Sequence, residues 1–232
     1  MAAEGESTME RGKNIIVTTD ASGARQAVRE NLLAMIVDVI DMSTTLESAL
    51  DAGAYAVLGC SPDYSRAPVP LDPHKIGQEA ARLARETGQG IVLVTEPRVG
   101  TDEERIARCQ KLVASLEREK VSIDAIVPNL GAETPKLFDM KNRVIVAVTD
   151  TGGVAYDAAF NEGGVVFIGT VARTLSMRGM EPARQAVKRA KKLSREYNRG
   201  IAIVAASRNS MEDMLAAQFI ANLLIGGQGE EE

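Results

Sequence analysis

Tryptophan is absent, histidine occurs once, cysteine twice, and aromatic residues make up only 3% of the 232-residue chain. So few aromatics leave little surface on which nucleobases could stack. The two cysteines, Cys60 and Cys109, make neither a disulfide framework nor a zinc site, and a reducing, cytoplasmic setting is the expectation. A Ser-His-Asp triad would have to use His74, which lies beside a proline-rich stretch and reads as an exposed loop residue. No apolar run reaches the roughly 18–20 residues that span a bilayer, so no membrane association is expected. The formal net charge of −5 argues against a nucleic-acid partner. The HExxH, CxxC, GxxxxGK[ST] and strand-linked GxGxxG patterns are all missing.

What is present is a well-patterned globular sequence, 45% apolar and 25% charged. Residues 1–12 read as a flexible leader, 13–226 as a single domain and 227–232 as an acidic tail. The most informative stretch is 35–59. Met35 to Ile40 is an apolar run around a single acid, Asp38, as in a strand buried on both faces. Asp41 to Thr45 supplies capping side chains, Leu46, Ala49 and Leu50 share a helical face, and Gly53 stops the helix before a second strand. A hydroxyl-rich turn at the carboxyl end of a parallel strand is where open α/β sheets bind ligands, and a helix start there favours an anion. The alternative is that Ser43, Thr44 and Thr45 only cap the helix.

Further strands are expected at 14–18, 91–94, 123–127, 144–148, 165–168 and 201–205, with helices from Ile76, from Thr101 (capping-box spacing with Glu104), around Pro182, and over Met211 to Ile225. Thr19 to Gly23 reads as a turn. The helix after Pro182 carries Arg184, Lys188, Arg189, Lys191, Lys192 and Arg195 on one face, either solvated or a phosphate or partner surface. Eight strands alternating with helices predict a three-layer α/β/α domain with a mixed, largely parallel sheet. Residues 37–59 and 146–169 share strand, Asp, small polar turn, Ala-rich helix, Gly and strand, which predicts pseudo-symmetric halves with both turns at one cleft. The turns hold hard oxygen donors (Asp38, Asp41, Glu96, Glu133, Asp150, Glu212 and Asp213), suited to Mg²⁺ rather than zinc or copper. Asp38 stands out because an acid inside an apolar strand must be paired, liganded or protonated.

In their order along the chain these pieces resemble the 2-phosphosulfolactate phosphatase (ComB) family of coenzyme M biosynthesis. Asp38-Val39-Ile40-Asp41-Met42-Ser43-Thr44-Thr45 is similar to the family's DVLRATTT, and Gln78-Glu79-Ala80 to its EEA. Glu96-Pro97-Arg98 is loosely similar to GER, and Asn129 to Pro135 to DLGNSP. Thr149 to Gly153 falls on TTNGT, and Ser210-Met211-Glu212-Asp213 on SLED. The family arginine is replaced by Asp41 and the loop aspartate by Asn129. The resemblance implies a ComB-like fold and an Mg²⁺-dependent phosphatase acting on a small anionic phosphoester, while the Ala- and Met-rich C-terminal helix points to a homodimer interface. Asp38, Glu212 and Asp213 would then be catalytic, and Asp38, Glu96 and Asp213 metal ligands. Ser43, Thr44, Thr45, Arg98, Asn129, Gly131, Thr134, Thr151, Gly152, Gly153 and Ser210 would bind substrate. The rival expectation is a catalytically silent paralogue that binds a small ligand or partner. A third is a substrate made cationic or neutral by the acidic turns.

Overall fold

The computed structural model describes residues 14–40 and 42–226; residues 1–13, Asp41 and residues 227–232 lie outside the described residues. Eight strands are β1 (Ile15–Thr19), β2 (Leu33–Val37), β3 (Ala56–Cys60), β4 (Ile91–Thr95), β5 (Ile123–Pro128), β6 (Val144–Val148), β7 (Val166–Ile168) and β8 (Ile201–Ala205). The helices are α1 (Asp20–Arg29), α2 (Met42–Asp51), α3 (Pro73–Thr87), α4 (Asp102–Ile106), α5 (Gln110–Arg118), α6 (Gly152–Asn161), α7 (Glu181–Tyr197) and α8 (Met211–Gly226), with a 3₁₀ helix at Gly131–Lys136.

The class is α/β and layered, but the strands do not form one mixed sheet. They form two sheets of four, ordered β1-β8-β2-β7 and β3-β6-β4-β5, with every pairing parallel. The reason lies in the crossovers. Helix α2 carries the chain from β2 in the first sheet to β3 in the second, and α6 carries it back from β6 to β7. Exchanging β1 with β5, β2 with β6, β3 with β7 and β4 with β8 turns one sheet order into the other. Each half of the chain therefore gives two strands to each sheet. The helix pairs follow the same exchange: α1 packs on α6 as the 3₁₀ helix packs on α2, and α3 on α5 as α7 on α8.

Period-two alternation sets the faces of the first sheet. Leu33, Met35, Val37, Ile201, Ile203 and Ala205 point toward Ala186 and Ala190 of α7 and Ala216, Ala217 and Ile220 of α8. Ala34, Ile36, Ala202 and Val204 point the other way, into a larger core that takes in α1, α2, α6 and the second sheet. Small side chains allow the close approach. A Cβ on Gly59 of β3 would lie 2.5 Å from Met42 Sδ of α2 and 2.7 Å from Tyr156 Cβ of α6.

Local signals explain most element ends. Asp72 accepts the His74 N–H and Pro73 opens α3, so His74 sits in a helical first turn, half-buried, instead of in the loop. Thr101 and Glu104 form the reciprocal capping box of α4. The single helix expected after it breaks before Gln110, where the Asp63 carboxylate accepts the N–H groups of Gln110 and Lys111 and starts α5 afresh. Asp20 to Gly23 is the first turn of α1, whose Ala21, Ala24 and Ala27 face inward. Among the described residues no helix is long and apolar enough to cross a membrane.

Candidate functional site

The turn after β2 is a hub that segments from both sheets reach. Asp38 is buried at 3% exposure, and its Oδ2 accepts the Gly152 N–H at 2.8 Å and the Thr151 hydroxyl at 3.0 Å, so it caps α6. Ser43 donates its hydroxyl to Ile36 O at 2.9 Å and accepts the Asp38 N–H at 2.9 Å. The Thr44 hydroxyl donates to Val39 O at 2.6 Å and lies 2.9 Å from the Thr170 hydroxyl beyond β7. Thr45 donates to Asn129 Oδ1, which brings in the end of β5. Asp213 of α8 accepts the Val39 N–H at 2.8 Å, and the Ser210 hydroxyl accepts the Asp213 N–H at 3.2 Å.

The structure thus gathers Asp38, Ser43, Thr44, Thr45, Asn129, Thr151, Gly152, Ser210 and Asp213, which lie far apart in sequence. Other expected site residues stand around this centre in local roles. Gly153 donates its N–H to the Thr149 hydroxyl at 2.8 Å, and Thr134 accepts the Leu130 N–H at 2.8 Å. Gly131, at φ +59°, lies in the 3₁₀ helix, its N–H 3.5 Å from Asn129 Oδ1. Glu212 is exposed and accepts the Ser210 hydroxyl at 3.1 Å. Glu96 follows β4 in the second sheet and lies 3.7 Å from Arg98 Nε. Three loop arginines are engaged by acids: Arg173 with Glu133 at 2.5 Å, Arg208 with Asp20 at 2.6 Å, and Arg108 with Asp150 at 2.7 Å.

The electrostatics of the hub follow from burial. Desolvation holds the Asp213 carboxyl above the usual carboxylate range, against the pull of the Val39 N–H and the Ser210 hydroxyl. Glu133 behaves oppositely: hydrogen bonds from Lys136 and Arg173 lower it to about 2. Among the described residues no group of three or more His, Cys, Asp or Glu side chains is placed to hold a metal ion. One oxygen of Asp38 and one of Asp213 accept backbone N–H groups, and Glu96 lies just beyond the end of β4. Asp41 lies outside the described residues.

Two buried acids outside the expected set hold the crossover helices. Glu47 of α2 is paired with Arg189 of α7, and its carboxyl is raised by desolvation despite that partner. Asp157 of α6 accepts the Ser61 hydroxyl at 2.5 Å and the Asp72 N–H at 2.9 Å, and is likewise raised by desolvation. Each lies six residues before a glycine of positive φ, Gly53 or Gly163. Aligning the two halves on those glycines would have exposed the pair from sequence. Comparison with protein-family models and with curated proteins finds no match to the chain.

Proposed function

We propose that the chain is a ComB-like hydrolase of a small anionic phosphoester, 2-phosphosulfolactate or a relative, centred on the Asp38–Thr45 turn. The observation that supports it is convergence. Four of the segments that carry the resemblance, around Asp38, Asn129, Thr151 and Asp213, meet at the carboxyl end of a parallel strand, although 174 positions separate Val39 from Asp213. That is the position at which α/β folds place ligands. Asp213, with its carboxyl raised, suits a general acid that protonates a leaving oxygen. Thr44 and Thr151 would turn their hydroxyls from Val39 O and Asp38 to the phosphate oxygens. In this proposal the protein works as a cytoplasmic homodimer, with the exposed Met211, Leu215 and Phe219 of α8 as the contact.

A specific observation favours a second reading, a catalytically silent paralogue that binds a small ligand. Most hub hydroxyls, and at least one oxygen of each buried carboxylate, already have a protein partner. The deciding experiment is a turnover screen of the purified chain on an aryl phosphate, 2-phosphosulfolactate and other small phosphoesters, with and without Mg²⁺. Turnover that disappears in both Asp38→Asn and Asp213→Asn, in variants that stay folded, is the expected result. A folded wild type with no turnover on any of them, but with a melting shift on adding one, would establish the second reading instead.

A further inference from the structure

A concavity of about 1000 Å³ lies between α7 and α8, on the far side of the first sheet from the large core. Arg184, Lys188, Lys191, Lys192 and Arg195 line it together with the apolar Val187 and Leu223. The cations recur at three- and four-residue intervals, so they form one stripe of roughly 17 Å along α7. Arg189, on the same helix, turns to Glu47 instead. The side chains of Arg184, Lys188 and Lys192 make no ion pair with any described residue, and all three are exposed. Among the described residues, no acid and no aromatic ring lines the groove. A chain of net charge −5 thus concentrates positive charge around one apolar-lined trough.

We propose that this groove docks an acidic amphipathic segment of a partner protein. The complement of a basic stripe beside Val187 and Leu223 is a helix or extended peptide with carboxylates along one edge and apolar side chains along the other. Nucleic acid fits less well because no described residue of the lining offers a ring to stack on a base. A bilayer fits less well because its surface is flat and the site is concave.

Fluorescence anisotropy on the full chain tests this, with a labelled helical peptide carrying glutamates on one face and leucines at i, i+4 on the other. Saturable binding is expected, weakened about tenfold or more by Lys188→Glu combined with Lys192→Glu, and weakened as salt screens the pairs. Leu223→Asp should weaken it as well, with circular dichroism confirming that each variant is folded. Equal affinity for a polyglutamate of the same charge would overturn the proposal, because the apolar lining would then read nothing. Four other results also overturn it. They are preferential binding of single-stranded RNA, preferential binding of anionic vesicles, self-association lost in the Lys188/Lys192 variant, and peptide binding that emerges only after Glu230, Glu231 and Glu232 are changed to Gln.

Discussion

Gly152 donates its backbone N–H to Asp38 Oδ2 at 2.8 Å, so an acid at the end of a strand in one sheet caps the helix that leaves the other. Asp38→Ala should therefore lower the stability of the whole chain by about 1–3 kcal/mol, the cost of a lost cap and of buried donors left unpaired. Urea denaturation measures it. Asp38→Asn keeps one acceptor oxygen and should lose less. A smaller loss from Ala than from Asn would contradict the capping role.

Gly153 has no room for a side chain, since a Cβ there would lie 2.0 Å from the Cys60 carbonyl oxygen. That neighbour is backbone of β3 and cannot rotate away. Gly153→Ala should cost about 1–3 kcal/mol or more through forced backbone shifts. Gly88→Ala, at φ +67° with open space around it, is strained only in its dihedral and should cost about 1 kcal/mol. Thermal melts of the two variants give the comparison.

The Glu47–Arg189 pair invites a double-mutant cycle. Glu47 is almost fully buried and Arg189 partly so. Arg189→Met alone leaves an uncompensated buried acid and should cost about 3–5 kcal/mol, whereas Glu47→Leu with Arg189→Met should be near neutral. Two single variants that each cost as little as the double would show that the pair is not coupled.

Asp157 gives a pH dependence of unusual sign. Its folded carboxyl is raised above the ordinary value of 3.8 by burial. The folded state then binds the proton more tightly than the unfolded state. The resulting stabilisation is fully present below the unfolded value and is lost as pH rises through the folded one. Relative to Asp157→Asn, which does not titrate, the wild type should gain stability as pH falls from neutral toward 3.8. Urea midpoints of both proteins across that range would show the gap changing; a constant gap refutes the assignment.

The strands were the legible part of this sequence. Val144–Val148 and Ile201–Ala205 lie where the apolar runs put them, because a strand buried on both faces is written as an uninterrupted β-branched run. Helix α1 was not legible. Its inward face is three alanines, Ala21, Ala24 and Ala27, at helical spacing but without a large apolar side chain, and Asp20, Ser22 and Gly23 at its start are turn-forming residue types. The division into two sheets was equally hidden, since a crossover that stays within one sheet and one that leaves it have the same local sequence. At the site, the hydroxyl-rich helix start at Ser43 to Thr45 was readable, but the apolar run 35–40 puts Asp38 inside a strand that ends at Val37. The destination of each hydroxyl was not readable, because Thr170 and Asn129 reach it only through the tertiary fold.

Strand β1 is an edge strand whose neighbour is β8, with Ile15 set against Ile201. Within this chain β1 cannot pair until β8 has been made, whereas every strand of the second sheet lies between Ala56 and Val148 and can pair before it. The second sheet is therefore expected to form first, while β1 and β2 wait with their edges unpaired, the exposure that invites aggregation.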